Sequence, residues 1–204
     1  CNKVFMAEAL QNAHIASPKT KILHQENIEQ VLEEIKLPCV LKSPDSTFSF
    51  GVKKAKTKAE YLDLVKEMLK TSDLIIAQEF TPSDYDWRIG VLDGKPFYAC
   101  RYYMAKGHWQ IYNWAAKDKE DQDGNADCMP VEEVPSAIID VAVKSAKIMG
   151  LGLYGIDIKE VKGKPLVIEI NDNPNIDFGV EDAHYGDEVY QQIIKALLKR
   201  VEEK

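Results

Sequence analysis

Asp157, Glu169 and Asn171 are the residues whose types and spacing point most directly to chemistry. They lie in LYGIDIKEVKGKPLVIEINDNPNID, residues 153–177. Tyr154, Ile156 and Ile158 alternate with Gly155, Asp157 and Lys159. Further on, Leu166, Ile168 and Ile170 alternate with Val167, Glu169 and Asn171. Strand side chains have period two, so the stretch reads as a hairpin with one apolar face and one face of acids and amide. Lys162-Gly163-Lys164 supplies the turn. A three-residue loop sets Asp157 opposite Glu169, with β-carbons about 4.5–5.5 Å apart. A two-residue loop would set it opposite Ile168, and the first register is the one expected. Carboxylates that close repel unless a cation sits between them. Hard oxygen donors beside an amide suit Mg²⁺ or Mn²⁺, which keep places open for phosphate oxygens. On this reading Glu169→Gln and Asp157→Asn each leave the ligand-free stability unchanged or raise it. Two acids alone suit a solvated polar face of an edge hairpin at least as well. The unusual part is the tail Asn171-Asp172-Asn173-Pro174-Asn175.

The elements that must position these residues follow from periodicity. Helices are expected over 3–13, 27–36, 58–70 and 130–149, the last stopped by Gly150, and a final helix is capped by Asp187. Strands are expected over 19–24, 37–43, 52–55, 73–80, 87–92, 96–104 and 109–113, with Asp93-Gly94 as a hairpin turn. The pattern alternates helix and strand up to residue 80. Residues 114–128 are polar and acidic. They fail as a calcium loop, because Lys119 and Pro130 fall where Asp and Glu are needed, and they read as a mobile loop.

A chain of 204 residues suits one domain or one domain of two lobes. The hydrophobic share of 45% is that of a soluble globular protein, and no apolar run approaches the ~20 residues that span a bilayer. The net charge of −7 argues against nucleic-acid or anionic-membrane partners, so any phosphate site must be a local cluster of positive charge. Cys1, Cys39, Cys100 and Cys128 are widely spaced and read as reduced thiols of a cytoplasmic protein. Cys1 in place of an initiator Met reads as a fragment.

Lys42 ends an apolar strand just before the hydroxyl-rich loop 43–51, where a lysine and backbone amides suit phosphate; the plain alternative is a surface lysine. The loop has a single glycine and is no Walker A. Arg88 and Arg101 lie on successive strands joined by a tight turn. Their forked donors suit a transferring phosphoryl group or an anionic substrate, and surface salt bridges are the alternative.

The Asp157…Glu169-x-Asn171 string and its Asn/Pro-rich tail resemble the metal-binding strands of the ATP-grasp ligases, closest to the glutathione synthetase and RimK-type branch. PCVLKSPDSTFSFGV, DWRIGVLDGKPFYACRYYMAKGHWQ and EINDNPNIDFGVED resemble a RimK-like subgroup that usually carries a further N-terminal region. The resemblance implies an α/β (α+β) ATP-grasp fold, with the nucleotide between two lobes. Residues 1–80 would be the first lobe, with an opening helix and a lid at 43–51. Residues 81–204 would be the second, with the metal hairpin at 153–171. By resemblance Lys3 and Lys42 meet phosphates, Gln78, Glu79 and Phe80 form the adenine hinge, and Asp86 holds the ribose. Val167, expected on the face of Glu169, packs against adenine, and Asn113 matches the family's Asn on the next strand. Relatives often have Arg at the position of Ile111 and Gly-Gly at that of Lys117-Asp118.

The activity implied is an ATP-dependent, Mg²⁺- or Mn²⁺-requiring carboxylate–amine ligase working through an acylphosphate. A glutamate-like amino acid and a peptide are the substrates suggested by analogy. The rival, favoured by Ile111, is a regulatory or inactive ATP-binding module.

Overall fold

In the first of two units, Cys1–Pro82, helix α1 (Lys3–Asn12) starts at Asn2, whose side-chain oxygen accepts from the amides of Val4 and Phe5. The computed structural model describes residues 2–46 and 49–203. Thr47 and Phe48, at the centre of the expected lid, and Cys1 lie outside the described residues.

Strands β1 (Thr20–Leu23), β2 (Cys39–Lys42), β3 (Val52–Ala55) and β4 (Ile75–Glu79) form an antiparallel sheet in the order β1-β4-β2-β3. Helices α2 (Ile28–Glu34) and α3 (Lys58–Met68) belong to the same unit. Thr57 and Glu60 make a reciprocal cap at the start of α3: the Glu60 amide donates to Thr57, and the Lys56 amide donates to the Glu60 carboxylate. The core gathers Leu23, Cys39, Leu41, Ala55, Ile75 and Ala77 from the strands with Val31, Ile35, Tyr61 and Val65 from the helical segments. Alternation then leaves Val40, Lys42, Ile76 and Gln78 on the opposite face of the sheet.

The second unit, Ser83–Lys204, is built on a five-stranded antiparallel sheet. Its strands are β5 (Tyr85–Leu92), β6 (Lys95–Tyr103), β7 (Ala126–Met129), β8 (Leu153–Val161) and β9 (Lys164–Asn171), in the order β7-β6-β5-β8-β9. Helix α4 (Ser136–Met149) packs on β8 and β9. The row Ala99, Ile89, Ile156 and Ile170 crosses four strands and is buried. Helix α5 (Glu188–Glu202) seats Val189 against Phe97, Tyr98 and Cys100.

Several expectations change. Residues 109–113 form no strand; Tyr112 makes an isolated bridge to Asp123. The acidic segment instead supplies β7, whose Asp127 faces Arg101. The helix expected over 130–149 begins only at Ser136. Pro135 holds Val134 in extended backbone, and a short 3-10 turn, Val131–Glu133, precedes it. Asp187 stands at the start of α5 but makes no side-chain cap. Of the cysteines, Cys39 is free and buried, whereas Cys100 and Cys128 are joined in a disulfide rather than reduced. They sit directly opposite each other on β6 and β7, with Cα atoms 4.1 Å apart. Among the described residues no helix is long and apolar enough to cross a membrane.

Candidate functional site

One rung crosses all five strands of the second sheet. Cys128 pairs with Cys100, Cys100 with Arg88, Arg88 with Asp157, and Asp157 with Glu169. Directly paired residues share a face, so Arg88, Asp157 and Glu169 project from the same side of the sheet. This is the side opposite the Ile89, Ile156 and Ile170 row.

Register follows from the turns and from two bulges. Lys162 and Gly163, with φ of 52° and 74°, make a two-residue turn, and Val161 pairs with Lys164. A regular ladder from that turn would set Asp157 opposite Ile168. A bulge beyond Asp157 absorbs Ile168 and restores the Asp157–Glu169 pair. The expected pairing is present, but through a two-residue turn and a bulge, not a three-residue loop.

That bulge also moves Val167. It pairs with Ile158, is fully buried, and belongs to the core face, not to the face of Glu169. A second bulge, between Gly90 and Val91, absorbs Phe97 and sets Arg101 opposite Trp87. Arg101 therefore projects from the face away from Arg88, Asp157 and Glu169. There it pairs with Asp127 and lies within 5.4–5.9 Å of the rings of Tyr85, Trp87 and Tyr103. The expected pairing of Arg88 and Arg101 in one site is thus corrected, as is the position of Val167.

At the centre of the rung Arg88 forks onto Asp157. Nε meets Oδ1, and Nη2 donates to Oδ2 at 3.1 Å. The two side chains are 14% and 15% exposed, so the pair is largely shielded from water. Asn171 donates its amide nitrogen to Asp157 Oδ2 at 3.1 Å and to the carbonyl of Gly155 at 3.3 Å. Burial alone would lower the Arg88 pKa, but the adjoining Asp157 carboxylate more than offsets this and holds it above the ordinary value. For Asp157, burial pushes the carboxyl up, Arg88 draws it down, and neighbouring Glu169 pushes it up again.

The floor is made of glycine. A Cβ at Gly90 would stand 2.2 Å from the Tyr98 ring, and one at Gly155 would stand 2.8 Å from Pro174 and 3.1 Å from Arg88 Cδ. Only the missing side chains let Tyr98 and Arg88 lie over the sheet. The Tyr98 hydroxyl is buried beside Arg88, with no well-aligned hydrogen bond among the described residues.

Asp86, expected as the ribose acid, is already engaged. Lys159 Nζ donates to its Oδ1 at 2.5 Å and to Ser83 Oγ at 2.6 Å, with both ionic side chains 12% exposed. Lys159 follows Asp157 by two residues on the same strand face, a position its alternation reveals. Glu181 and Asp182 were also missed as individual residues. Glu181 is fully buried and accepts from the Tyr102 hydroxyl and the Asp177 amide; Asp182 accepts from the Gly179 amide and the Tyr190 hydroxyl. Together they fix the loop that follows Asn171. Their only sequence signal is adjacency to the Asn/Pro-rich tail.

In the first unit Lys3 is buried and its ammonium donates to the Ser46 carbonyl, while Ser43 and Gly51 close the base of the loop through a backbone bond of 3.0 Å. Lys42 is buried on the sheet face that also carries Gln78. Gln78 donates to Thr20 Oγ1 at 2.9 Å. The backbone of Glu79 and Phe80 is tied to Lys19 and Pro38, and Lys54 Nζ lies 4.3 Å from the centre of the Phe80 ring. Asn113 lies in irregular backbone, its amide donating to the Gln122 carbonyl.

Asp157, Glu169 and the Asn171 amide fit a divalent cation that shares its coordination sphere with other oxygen donors. Among the described residues no three His, Cys, Asp or Glu side chains cluster as a self-sufficient metal site. Two carboxylates and an amide are a partial ligand set, of the kind completed by phosphate oxygens and water.

Comparison with known proteins bears on the family and the fold. A "Probable alpha-L-glutamate ligase" of Vibrio vulnificus (strain YJ016) is 26% identical over 186 residues, covering 89% of this chain and 58% of that protein. One of Aeromonas salmonicida is 30% identical over 162 residues, covering 78% of this chain and 50% of that protein. The chain thus spans between half and three fifths of the length of these relatives. Among solved structures, a D-alanine–D-alanine ligase from Bacillus anthracis superposes with TM-score 0.78 at 18% identity, covering all of this chain and 69% of the other. A RimK-domain ATP-grasp protein from Sphaerobacter thermophilus gives 0.62 at 17% identity, covering 96% and 64%. These likenesses show the fold. The family profile for the RimK-like ATP-grasp domain matches residues 1–197, and the chain belongs to that family.

Proposed function

We propose that this chain is the ATP-binding and catalytic part of an ATP-dependent carboxylate–amine ligase. The observation that carries this reading is the rung in which Arg88, Asp157 and Glu169 share one face, with Asn171 hydrogen-bonded to Asp157. A Mg²⁺ or Mn²⁺ ion bound there supplies charge neutralisation for the β- and γ-phosphates of ATP. Asp157, Glu169 and the Asn171 amide oxygen would hold it. Arg88 would bind the γ-phosphate through its fork. Taken by itself, the first unit offers Lys3 and Lys42 as phosphate-binding groups and the backbone of residues 78–80 as an adenine-binding edge. Asp86, steadied by Lys159, would accept from the ribose hydroxyls.

The chemistry proposed has two steps. A substrate carboxylate oxygen attacks the γ-phosphorus, the bond to the β,γ-bridging oxygen breaks, and ADP leaves. An amine nitrogen then attacks the acylphosphate carbon, inorganic phosphate leaves, and the nitrogen loses a proton to give an amide. Positioned positive charge is the protein's main contribution to the first step. Small carboxylates and amines are the substrate class, with glutamate the first compound to try in either role, after the names of the curated relatives. The reading places the enzyme in the cytoplasm.

The experiment is a screen of acid and amine pairs with ATP and Mg²⁺, following ADP and phosphate release and amide formation by mass spectrometry. Acid-dependent release of ADP is expected. ATP binding without turnover for any pair would favour a regulatory module, and AMP with pyrophosphate would exclude the acylphosphate route.

A further inference from the structure

We propose that Arg88 is a resident counter-cation of the metal site: it holds Asp157 in the ligand-free protein and keeps a divalent ion out until nucleotide phosphates draw it away. The inference rests on the nucleotide reading above and adds an order of binding to it.

Asp157 has no idle oxygen. Oδ1 takes Arg88 Nε, and Oδ2 takes both Arg88 Nη2 and the Asn171 amide, the last two at 3.1 Å. The Asn171 group facing Asp157 is its nitrogen, a donor, whereas a cation needs the oxygen. The ligand-free site is therefore organised around a guanidinium, with every polar contact to Asp157 pointing the wrong way for a metal.

Charge makes the same point. Two carboxylates carry two negative charges, and Arg88 cancels one of them within the same rung. A divalent ion arriving alone meets a cation already paired with Asp157. Arginine cannot leave by deprotonation, since it stays charged at any working pH. It leaves only by moving to another anion, and a phosphoryl group matches its fork of donors. The contacts of the guanidinium with Asn175 and Tyr102 are long ones, weaker than its fork on Asp157. Arg88 Cδ lies over Gly155 beside Pro174, Nη1 stands 3.5 Å from Asn175 Oδ1, and the guanidinium carbon lies 5.4 Å from the centre of the Tyr102 ring. Once nucleotide binds, Arg88 passes to phosphate, Asp157 is freed, and the Asn171 amide can turn its oxygen inward. Metal binding then depends on nucleotide, although the metal's own protein ligands are present throughout.

Mn²⁺ titrated into nucleotide-free protein, followed by the electron paramagnetic resonance of free Mn²⁺, tests this. Wild type should show no strong site. Arg88→Gln should bind Mn²⁺ roughly tenfold or more tightly than wild type, the scale of removing one charge-assisted competitor. Arg88→Gln/Glu169→Gln should lose the gain, which identifies the site. A second measurement needs no variant. The ¹⁵N resonance of Arg88 Nε should be unmoved by Mg²⁺ alone and should shift on adding Mg²⁺ with a non-hydrolysable ATP analogue. The proposal is overturned if wild type binds Mn²⁺ as tightly as Arg88→Gln, or if folded Arg88→Gln binds no better than wild type. A resonance that moves with Mg²⁺ alone would also overturn it. If the analogue fails to bind wild type while Arg88→Gln still gains a metal site, the counter-cation stands and the ligase reading falls.

Discussion

Arg88 Nη2 stands 3.1 Å from Asp157 Oδ2, on directly opposed residues of neighbouring strands, so Asp157 carries its counter-charge within the sheet. Asp157 is therefore more than a charge repelling Glu169. Asp157→Asn leaves a buried guanidinium without its counter-charge and should lower ligand-free stability by on the order of 3 kcal/mol. Glu169→Gln removes a charge that repels Asp157 and should leave stability unchanged or raise it. The expectation from sequence, that both substitutions relieve repulsion, is kept here as a prediction for Glu169 alone. Urea denaturation of both variants checks the asymmetry, and equal losses would contradict it.

Gly155→Ala tests the glycine floor. Its Cβ would meet Pro174 at 2.8 Å and Arg88 Cδ at 3.1 Å, forcing one of them to shift. Overpacking of this kind costs about 1–3 kcal/mol. Stability should fall by that amount, and the Arg88 Nε resonance should move. An unchanged melting temperature would show that the loop gives way freely.

Cys39 gives a pH test remote from the site. Burial pushes its thiol up to about 11. An unfolded cysteine titrates near ~8.5. A group raised in the folded state contributes stability that is complete below the unfolded value and is lost as pH rises toward the folded one. Wild type should therefore lose stability relative to Cys39→Ala between roughly pH 8.5 and 11. A gap between the two that stays constant across that window would refute the assignment.

The Cys100–Cys128 link joins positions 28 residues apart, and it ties down β7. By loop entropy, opening it should cost about 3–4 kcal/mol. Denaturation with and without dithiothreitol, against Cys100→Ala/Cys128→Ala, measures this. Failure to recover the linked peptide from non-reduced protein would rule the disulfide out.

Most elements were legible because their signals are local. Apolar spacing gave the helices, and alternation gave the strands and the acid-bearing face of the hairpin. What was not legible was parity across a turn. Both hairpins close through two-residue turns, Asp93-Gly94 and Lys162-Gly163, with positive φ at all four residues. Each then carries a bulge, which absorbs Phe97 in one and Ile168 in the other. An extra residue flips every side chain beyond it to the other face. This is why Arg101 and Val167 leave the site while Glu169 stays opposite Asp157. Strand β7 escaped notice because its partner contacts, not its own composition, make it a strand. Lys159, Glu181 and Asp182 look like ordinary surface charges until tertiary partners bury them.

The central claim is that Glu169 and Asp157 hold the cation that accompanies nucleotide. Thermal unfolding of wild type and Glu169→Gln, each alone, with metal-free ATP and with Mg²⁺-ATP, tests it most directly. The account predicts equal gains from metal-free ATP and a ten- to a hundredfold weaker Mg²⁺-ATP affinity for the variant, about 1.5–3 kcal/mol. A variant that is less stable alone, yet gains as much as wild type from Mg²⁺-ATP, would contradict it.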